Sequence, residues 1–226
     1  MSFLILGDGL LGKELVRQTN WDFISRKKNK FDFNNLDSYK EFLLKYDTII
    51  NCIAYTNTYS DDKIKMYNIN YKSVTELCDF LKIKNKKLIH ISTDYVYAHS
   101  NNFASENDLP LISKNWYTYY KLLADEYIML KSNDYLIFRC SFKPYPFPYS
   151  NAWIDQIGNF DYVNIISTLI IKSIQQNAQG LYNLGTDTKS IYDLAKSSNK
   201  NVLGVLKDNL APNNITMNLK KIKEIL

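Results

Sequence analysis

The first dozen residues place three glycines between an apolar run and a helical pattern. The apolar run at 2–6 is followed by Gly7-Asp-Gly9-Leu-Leu-Gly12, and apolar residues then recur at helical spacing as far as residue 18. A dinucleotide-binding strand–turn–helix unit needs one glycine at the tight turn, one where backbone meets a pyrophosphate, and one where helix packs on strand. Free N–H groups at the helix start would bind the phosphates. The pattern therefore predicts a dinucleotide-binding fold.

Strand-like and helix-like segments alternate over the first two-thirds of the chain. The predicted strands are 2–6, 22–25, 48–54, 87–92 and 135–139, and the predicted helices are 10–18, 36–46 (opening on Asn35), 63–81 and 116–130. Alternation with short links predicts the α/β class, with a Rossmann-type, doubly wound parallel sheet. We assign this domain to residues 1–141.

The last third of the chain has a different texture. Residues 143–151 hold three of the five prolines, which predicts an irregular loop. Helices at 164–176, at 190–196 and from about 218, and one strand at 181–184, are predicted beyond it. This part is too small to fold alone. We therefore expect residues 142–226 to form a small C-terminal substrate-binding lobe packed on the sheet edge.

Composition excludes several functional classes. The net charge of +5 comes from dispersed lysines, which favours a small anionic ligand over nucleic acid. Three scattered cysteines and two histidines support neither a disulfide framework nor a metal site. No apolar stretch reaches the length of a membrane span, and the N-terminus lacks the features of a signal peptide. We expect a cytoplasmic protein with no metal, membrane or nucleic-acid partner.

A basic turn follows the second predicted strand and bears on the choice of cofactor. Folds that prefer NAD place an acidic residue on the ribose 2′-hydroxyl about 20 residues after the first glycine. This chain has Ser25-Arg26-Lys27-Lys28 there. Arg26 and Lys27 would pair with a 2′-phosphate, which a carboxylate would repel. NADP(H) is the predicted cofactor, with NAD(H), or a merely solvated basic turn, as the alternative.

A Tyr-x-x-x-Lys pair must be chosen by position, because a chain with 18 tyrosines contains such pairs by chance. The four pairs are Tyr59/Lys63, Tyr117/Lys121, Tyr127/Lys131 and Tyr192/Lys196. On a helix, residues four apart share a face, which places the ammonium beside the phenol. Only the helix of Tyr117 follows a strand that ends near a hydroxyl residue, Thr93, at the ligand-binding edge of the sheet. We therefore predict Thr93, Tyr117 and Lys121 as the catalytic group.

Further motifs carry a family resemblance along nearly the whole chain. They are Asn51-Cys-Ile-Ala-Tyr55-Thr56, Ser92-Thr-Asp-Tyr-Val96, the helix of Tyr117 with its Lys-Leu-x-Ala-x-Glu, Arg139-Cys-Ser141-Phe and Asp155-Gln-Ile-Gly158. Together they resemble the extended short-chain dehydrogenase/reductases, and specifically the dTDP-4-dehydrorhamnose reductase family. The implied activity is NADPH-dependent reduction of a nucleotide-activated 4-keto-6-deoxy sugar. Because family members are often dimeric, a homodimer is compatible with it.

The resemblance also implies roles for individual residues. Tyr117 would be the general acid, Lys121 would bind the nicotinamide ribose and favour ionisation of the phenol, and Thr93 would hydrogen-bond the substrate oxygen. The implied cofactor contacts are Gly7, Gly9, Leu10, Leu11, Gly12, Arg26, Lys27, Asp32, Phe33, Ile53, Ala54, Tyr55 and Lys121. The implied sugar contacts are Thr93, Asp94 and Phe142.

Departures from the family pattern and three other activities keep the substrate open. The glycine turn is one residue shorter, the segment between Phe142 and Asp155 is shorter than the family's helix-bearing one, and Asn159-Phe160 replaces Pro-Thr. A redox-neutral epimerase would hold NAD, against which the basic turn argues. A 4,6-dehydratase would carry Asp-Glu after the threonine, where this chain has Asp-Tyr. A non-catalytic regulatory subunit, as known for methionine adenosyltransferase, would not need an intact catalytic group.

Overall fold

The computed structural model describes all residues from Met1 to Leu226 as an α/β protein. The helices are α1 (Leu10–Thr19), α2 (Arg26–Asn29), α3 (Lys40–Leu43), α4 (Lys63–Tyr67), α5 (Ser73–Ile83), α6 (Trp116–Lys131), α7 (Val163–Gln175), α8 (Ile191–Lys196) and α9 (Lys220–Lys223). The strands are β1 (Phe3–Leu6), β2 (Asp22–Ile24), β3 (Thr48–Asn51), β4 (Lys87–Thr93), β5 (Tyr135–Cys140), β6 (Phe142–Lys143), β7 (Asn151–Trp153), β8 (Ile157–Gly158), β9 (Asp161–Tyr162), β10 (Gly180–Asn183), β11 (Lys189–Ser190), β12 (Leu203–Val205) and β13 (Asn214–Ile215). None of the helices combines the length and the hydropathy that a membrane span requires.

Six strands form the central sheet in the order β10-β5-β4-β3-β1-β2. β1 pairs in parallel with both β2 and β3, and β3 pairs in parallel with β4. The chain therefore moves outward in opposite directions from β1, first to β2 and then to β3. A reversal of this kind opens a crevice at the carboxyl ends of the two strands that flank it. The predicted Rossmann-type parallel sheet is confirmed.

The inner strands are apolar on both faces, as expected for parallel strands covered on two sides. Leu4, Ile5 and Leu6 of β1 are fully buried, and so are Ile49 and Ile50 of β3. Successive side chains on a strand point to opposite faces, so this run of buried residues shows that both faces are covered. The sheet is thus a rigid base for the loops at its carboxyl edge.

Several predicted elements differ from the observed ones for local reasons. The strand predicted at 48–54 ends at Asn51, because the side chain of Asn51 accepts the N–H of Ile53 at 3.0 Å and turns the chain. The helix predicted at 36–46 is a 3₁₀ turn (Leu36–Tyr39) followed by α3, and Asn35 makes no side-chain cap. The helix predicted at 63–81 contains a π turn at Asn68–Lys72.

The π turn is held by a buried asparagine. Asn70 accepts the N–H of Tyr55 at 2.8 Å and donates to the carbonyl of Tyr55 at 2.9 Å. These two bonds tie the loop after β3 to the helix. π turns are frequent at functional sites, because they redirect a side chain that an α-helix would place elsewhere.

The chain forms two compact units that alternate along the sequence. The first comprises Met1–Ser92, Lys114–Phe138 and Ala178–Leu181, and the second comprises Thr93–Ser113, Arg139–Asn177 and Tyr182–Leu226. The second unit contains three small sheets, β11-β8-β13, β12-β7 and β6-β9, around a core that includes Phe160, Tyr162 and Leu194. Its strands of two or three residues are too short for any sequence period, which is why the sequence predicted almost none of them. The division at 141/142 stays a prediction.

Candidate active site

The glycine turn after β1 has the local geometry that its sequence predicts. Gly7 has φ +98°, which side-chain-bearing residues rarely adopt. A Cβ on Gly12 would lie 2.1 Å from the carbonyl oxygen of Gly7, so helix and turn approach as closely as only glycine allows. A Cβ on Gly9 would meet nothing within 4 Å. Gly7 is therefore required by its backbone conformation and Gly12 by close packing, whereas Gly9 borders open space.

Helix α1 begins on this open side. Gly9 is the N-cap of this helix and has no side chain that could cap it. The first intrahelical hydrogen bond runs from the N–H of Lys13 to the carbonyl oxygen of Gly9 at 3.0 Å. The N–H groups of Leu10, Leu11 and Gly12 precede that bond and have no partner within the helix. Together with the positive end of the helix dipole, they can bind a phosphate group.

The basic turn forms the four-residue helix α2. Ser25 caps it by accepting the N–H of Lys28 at 3.1 Å, and Ser25 itself is buried. Arg26, Lys27 and Lys28 are all exposed, and the ammonium of Lys28 lies over the ring of Phe23 at 4.2 Å. The two predicted 2′-phosphate contacts are thus accessible to solvent.

Asp32 and Phe33, two of the predicted cofactor contacts, have different environments. Asp32 is exposed, and its carboxylate accepts the N–H of Asn34 at 3.1 Å. The side chain of Phe33 is buried in the hydrophobic core beside Phe31. Any contact of Phe33 with a ligand would therefore involve its backbone.

The loop after β3 lies against the glycine turn. The Ile53 side chain is so close to Gly7 that a Cβ there would come within 2.9 Å of it. Ala54 and Tyr55 follow, and the hydroxyl of Tyr55 donates to Ser60 at 3.2 Å. The structure thus brings together the loops that leave β1 and β3, which are the strands on either side of the reversal point.

Lys121 is the only buried lysine in the first unit. Its side chain is 1% exposed and donates to the carbonyl of Ile91 at 2.7 Å. Its Nζ also lies 2.9 Å from Nε2 of His90, which is fully buried. Tyr117 lies one helical turn earlier on α6 and is half-buried.

Burial also separates this Tyr-x-x-x-Lys pair from the other three. The lysines of those pairs, Lys63, Lys131 and Lys196, are all exposed. The Tyr127 hydroxyl is moreover bound to the carboxylate of Asp79 at 2.8 Å. Burial and the Asp79 carboxylate raise the pKa of Tyr127 to about 12, which makes it a poor acid or base.

Helix α6 is fixed to β4 by two contacts between polar side chains on one face of the strand. His90 contacts Lys121, and the Ser92 hydroxyl donates to the carboxylate of Asp125 at 2.8 Å. Residues two apart on a strand face the same side, and residues four apart on a helix share a face. We call these four residues the polar ladder. It fixes the packing of α6 against β4.

In the second unit, Thr93 and Asp94 form the start of a 3₁₀ turn at the end of β4. The Thr93 hydroxyl accepts the N–H of Tyr95 at 3.2 Å and contacts Oδ1 of Asp94 at 3.4 Å. Asp94 is fully buried, and its Oδ2 has no hydrogen-bond partner. Burial raises the pKa of Asp94 to about 7, although the Lys143 ammonium opposes the rise. One oxygen of this buried carboxyl group therefore has an unused capacity for hydrogen bonding.

Lys143, the residue after Phe142, was not among the predicted site residues. Phe142 and Lys143 form β6, paired in parallel with Asp161 and Tyr162 of β9. Burial lowers the pKa of Lys143, and the Asp94 carboxylate acts in the opposite direction. Only the pairing of short strands brings this lysine under the influence of Asp94.

His90 was also missed by sequence reasoning. The available signal was a polar residue inside an apolar strand, two positions before the Ser-Thr-Asp motif and on the same strand face as Ser92. Burial and the Lys121 ammonium lower the pKa of His90 well below its usual range, so the ring is neutral.

The family model described as RmlD substrate binding domain matches residues 1–143, which is more than half of the chain. This protein belongs to that family. The resemblance that the motifs indicated is thereby confirmed. No curated protein gives a significant match.

Solved structures extend the likeness of this RmlD-family chain to its full length. A dTDP-4-dehydrorhamnose reductase from Bacillus anthracis, in complex with NADP, has a TM-score of 0.84 at 23% identity, covering 99% of this chain and 92% of that one. A hypothetical dTDP-4-dehydrorhamnose reductase from Sulfolobus tokodaii has a TM-score of 0.85 at 23% identity, covering 100% and 95%. MoeE5, in complex with UDP-glucuronic acid and NAD, has a TM-score of 0.81 at 15% identity, covering 100% and 92%. At these identities the likeness is one of fold.

Proposed function

We propose that this RmlD-family protein is an NADPH-dependent reductase of a nucleotide-activated 4-keto-6-deoxy sugar. The observation that carries the proposal is the buried Lys121, one helical turn after Tyr117 and bonded to the strand that ends at Thr93. A buried lysine is costly unless its donors are used. Its three exposed counterparts in the other Tyr-x-x-x-Lys pairs bear no such cost.

The residues of the first unit fit a dinucleotide. The side of the turn that Gly9 leaves open and the free N–H groups of α1 would hold the pyrophosphate. Exposed Arg26 and Lys27 would bind a 2′-phosphate, which supports NADP(H) over NAD(H). The bound NADP named for the B. anthracis protein agrees with this choice. The bound NAD named for MoeE5 keeps NAD(H) as the alternative.

The chain's own residues would divide the reaction between them. When bound, the cofactor supplies a hydride to the keto carbon. Tyr117 would donate the phenolic proton to the oxygen as negative charge develops on it. The Lys121 ammonium would hold the ribose and favour the phenolate left after the transfer. The Thr93 hydroxyl would donate a hydrogen bond to the same oxygen.

Sugar recognition would fall to Asp94 and Phe142. Oδ2 of Asp94 has no hydrogen-bond partner, so a sugar hydroxyl that donates to it would relieve the cost of burying the carboxylate. The half-buried Phe142 offers an apolar surface on which a deoxy sugar methyl can pack. Specificity of this kind is achieved when a buried polar group is left unpaired by the wrong substrate.

The test is incubation of the protein with NADPH and a panel of dTDP- and UDP-linked 4-keto-6-deoxy sugars. We expect oxidation of NADPH, followed at its nicotinamide absorbance, with one equivalent of reduced sugar for each cofactor consumed. Conversion of the sugar to an epimer without net NADPH loss would replace the reductase by an epimerase. Cofactor binding without turnover of any sugar would favour a non-catalytic role.

A further inference from the structure

The buried imidazole of His90 has two neighbours that both carry N–H groups. On one side, Nε2 lies 2.9 Å from Nζ of Lys121. On the other, Nδ1 lies 3.3 Å from the amide nitrogen of Asn51. The amide orientation of Asn51 is set by its carbonyl oxygen, which accepts the N–H of Ile53 at 3.0 Å. Both neighbours therefore present donors to the ring.

A neutral imidazole has a single lone pair for hydrogen bonding, so it cannot accept from both neighbours at once. Charge-assisted hydrogen bonds are shorter and about twice as strong as neutral ones. The ammonium of Lys121 therefore takes the lone pair at Nε2, and the ring proton is left on Nδ1. The longer distance on the Asn51 side agrees with this order. If Lys121 loses its charge or is removed, the amide of Asn51 can take the lone pair instead.

We propose that His90 is a positioning residue for Lys121, holding the ammonium in place by accepting at Nε2, with a ring tautomer that follows the presence of that charge. The role in catalysis rests on the proposed reductase function, whereas the tautomer does not. His90 would act on the reaction only through Lys121. Its depressed pKa supports the proposal, because a protonated ring would repel the ammonium.

Three further titratable groups lie next to this network along the chain. Cys52 follows Asn51 on the loop after β3, and burial raises the pKa of its thiol to about 12, so it stays uncharged. On α6, Tyr117 and Asp125 lie one turn before and one turn after Lys121. The Asp125 carboxylate is bound to Ser92, the other contact of the polar ladder. The Cys52 thiol and the His90 imidazole are therefore both uncharged at neutral pH.

The tautomer can be measured directly because the chain has only two histidines, His90 and His99. Histidine labelled with ¹⁵N gives two ring spectra, and the variant His99→Gln assigns them. At pH 7 we expect His90 to be neutral, with its proton on Nδ1. In Lys121→Met we expect the proton on Nε2. A proton on Nε2 in the unmodified protein, or a charged ring, would overturn the proposal, even if Lys121→Met failed to fold.

The catalytic role is tested by the pH profile of NADPH oxidation in three variants. In His90→Phe we expect turnover to fall about tenfold or more, because a hydrogen bond to a charged group is lost. The pH at which activity falls on the alkaline side of the profile (the alkaline limb) should also rise by about one unit, because a displaced ammonium stabilises the Tyr117 phenolate less. His90→Gln can place an amide oxygen near the ammonium, and should restore much of both properties.

Ser92→Ala is the matched control, since it breaks the other contact of the polar ladder. It should lower the urea midpoint of unfolding yet leave the alkaline limb where it is. If Ser92→Ala shifts the limb as much as His90→Phe, the role of His90 is merely structural. If no sugar is reduced by the unmodified protein, the proposed function fails, and the ¹⁵N spectra still decide the His90–Lys121 contact.

Discussion

The two units bury ionisable groups in opposite ways. In the first unit, Lys121 is 1% exposed and already donates to the Ile91 carbonyl, with the His90 imidazole beside it. In the second unit, Asp94 is 0% exposed, yet its Oδ2 has no hydrogen-bond partner. The ammonium of Lys121 thus has acceptors within the fold, whereas Oδ2 of Asp94 has no donor.

The difference indicates which of the two buried groups is satisfied within the fold before any ligand binds. An unpaired buried polar group costs about 1–3 kcal/mol, so folding alone disfavours the ionised form of Asp94. The pKa of about 7 expresses that cost. Lys121 is held by a strand and a helix, and needs no ligand to fix its position. We therefore expect Lys121 to govern the rate, and Asp94 to govern which ligand is accepted.

Lys121→Ala removes the buried group that the fold already satisfies, and it should have the largest effect. It would remove the proposed ribose contact and the charge beside Tyr117 together, so we expect turnover to fall by about 10⁴-fold and NADPH affinity to weaken. Lys131→Ala, at the exposed lysine of the Tyr127 pair on the same helix, is the control and should keep full activity. Equal losses in both variants would contradict the assignment of the pair.

Tyr117→Phe separates proton donation by Tyr117 from the contacts that Lys121 makes. We expect turnover to fall about 10²- to 10⁴-fold, the usual contribution of a positioned acid. NADPH affinity, measured by fluorescence titration, should change little because Lys121 keeps its contacts. Tyr127→Phe removes only a hydroxyl bonded to Asp79, and single-turnover rates should be normal. Full activity in Tyr117→Phe would mean that another group donates the proton.

Asp94→Asn changes the buried group that lacks a partner, and its effect is measured on the free energy of unfolding. The folded pKa of Asp94, about 7, lies above the unfolded value of about 3.9, so its protonated form is favoured by folding. Its contribution to stability is therefore full below pH 4 and is lost as the pH rises toward 7. We expect the variant to be more stable than the unmodified protein at pH 8, by up to about 4 kcal/mol, and equal to it near pH 4.

Urea unfolding at the two pH values measures this difference, and the exposed Asp187→Asn in the same unit is its control. The same Asp94→Asn variant should bind the sugar nucleotide more weakly, because a carboxylate acceptor is lost. A loss of stability at pH 8 would show that Asp94 is satisfied within the fold, and the contrast with Lys121 would disappear.

Arg26→Asp should have the smallest effect, because Arg26 is exposed, unlike Lys121 and Asp94. We expect the ratio of NADPH to NADH affinity to fall about tenfold, as a favourable charge pair with the 2′-phosphate becomes a repulsive one. Turnover at saturating cofactor should be unchanged. Equal affinities for the two cofactors in the unmodified protein would remove the basis for preferring NADP(H).

Much of the first unit could be predicted because its signals are local. The ends of β1, β4, β5 and α6 were predicted to within one residue, since burial on both faces of a strand and a helical period are both visible over a few positions. The glycine turn was equally readable, because φ at Gly7 and the close approach at Gly12 depend on neighbours in sequence. The second unit could not be predicted in the same way, because strands as short as β6 and β9 are stabilised by partners far away in the chain.

By itself, the sequence determined the alternation of strands and helices, the glycine turn, the basic turn and the position of Tyr117 four residues before Lys121. The tertiary structure alone decided which lysine is buried, that His90 contacts it across 31 residues, and that Asp94 lacks a partner for one oxygen. The physical reason is the range of the interactions. Backbone geometry and periodicity act between neighbours in sequence, whereas desolvation and hydrogen bonding of buried polar groups depend on segments that meet only after the sheet has formed.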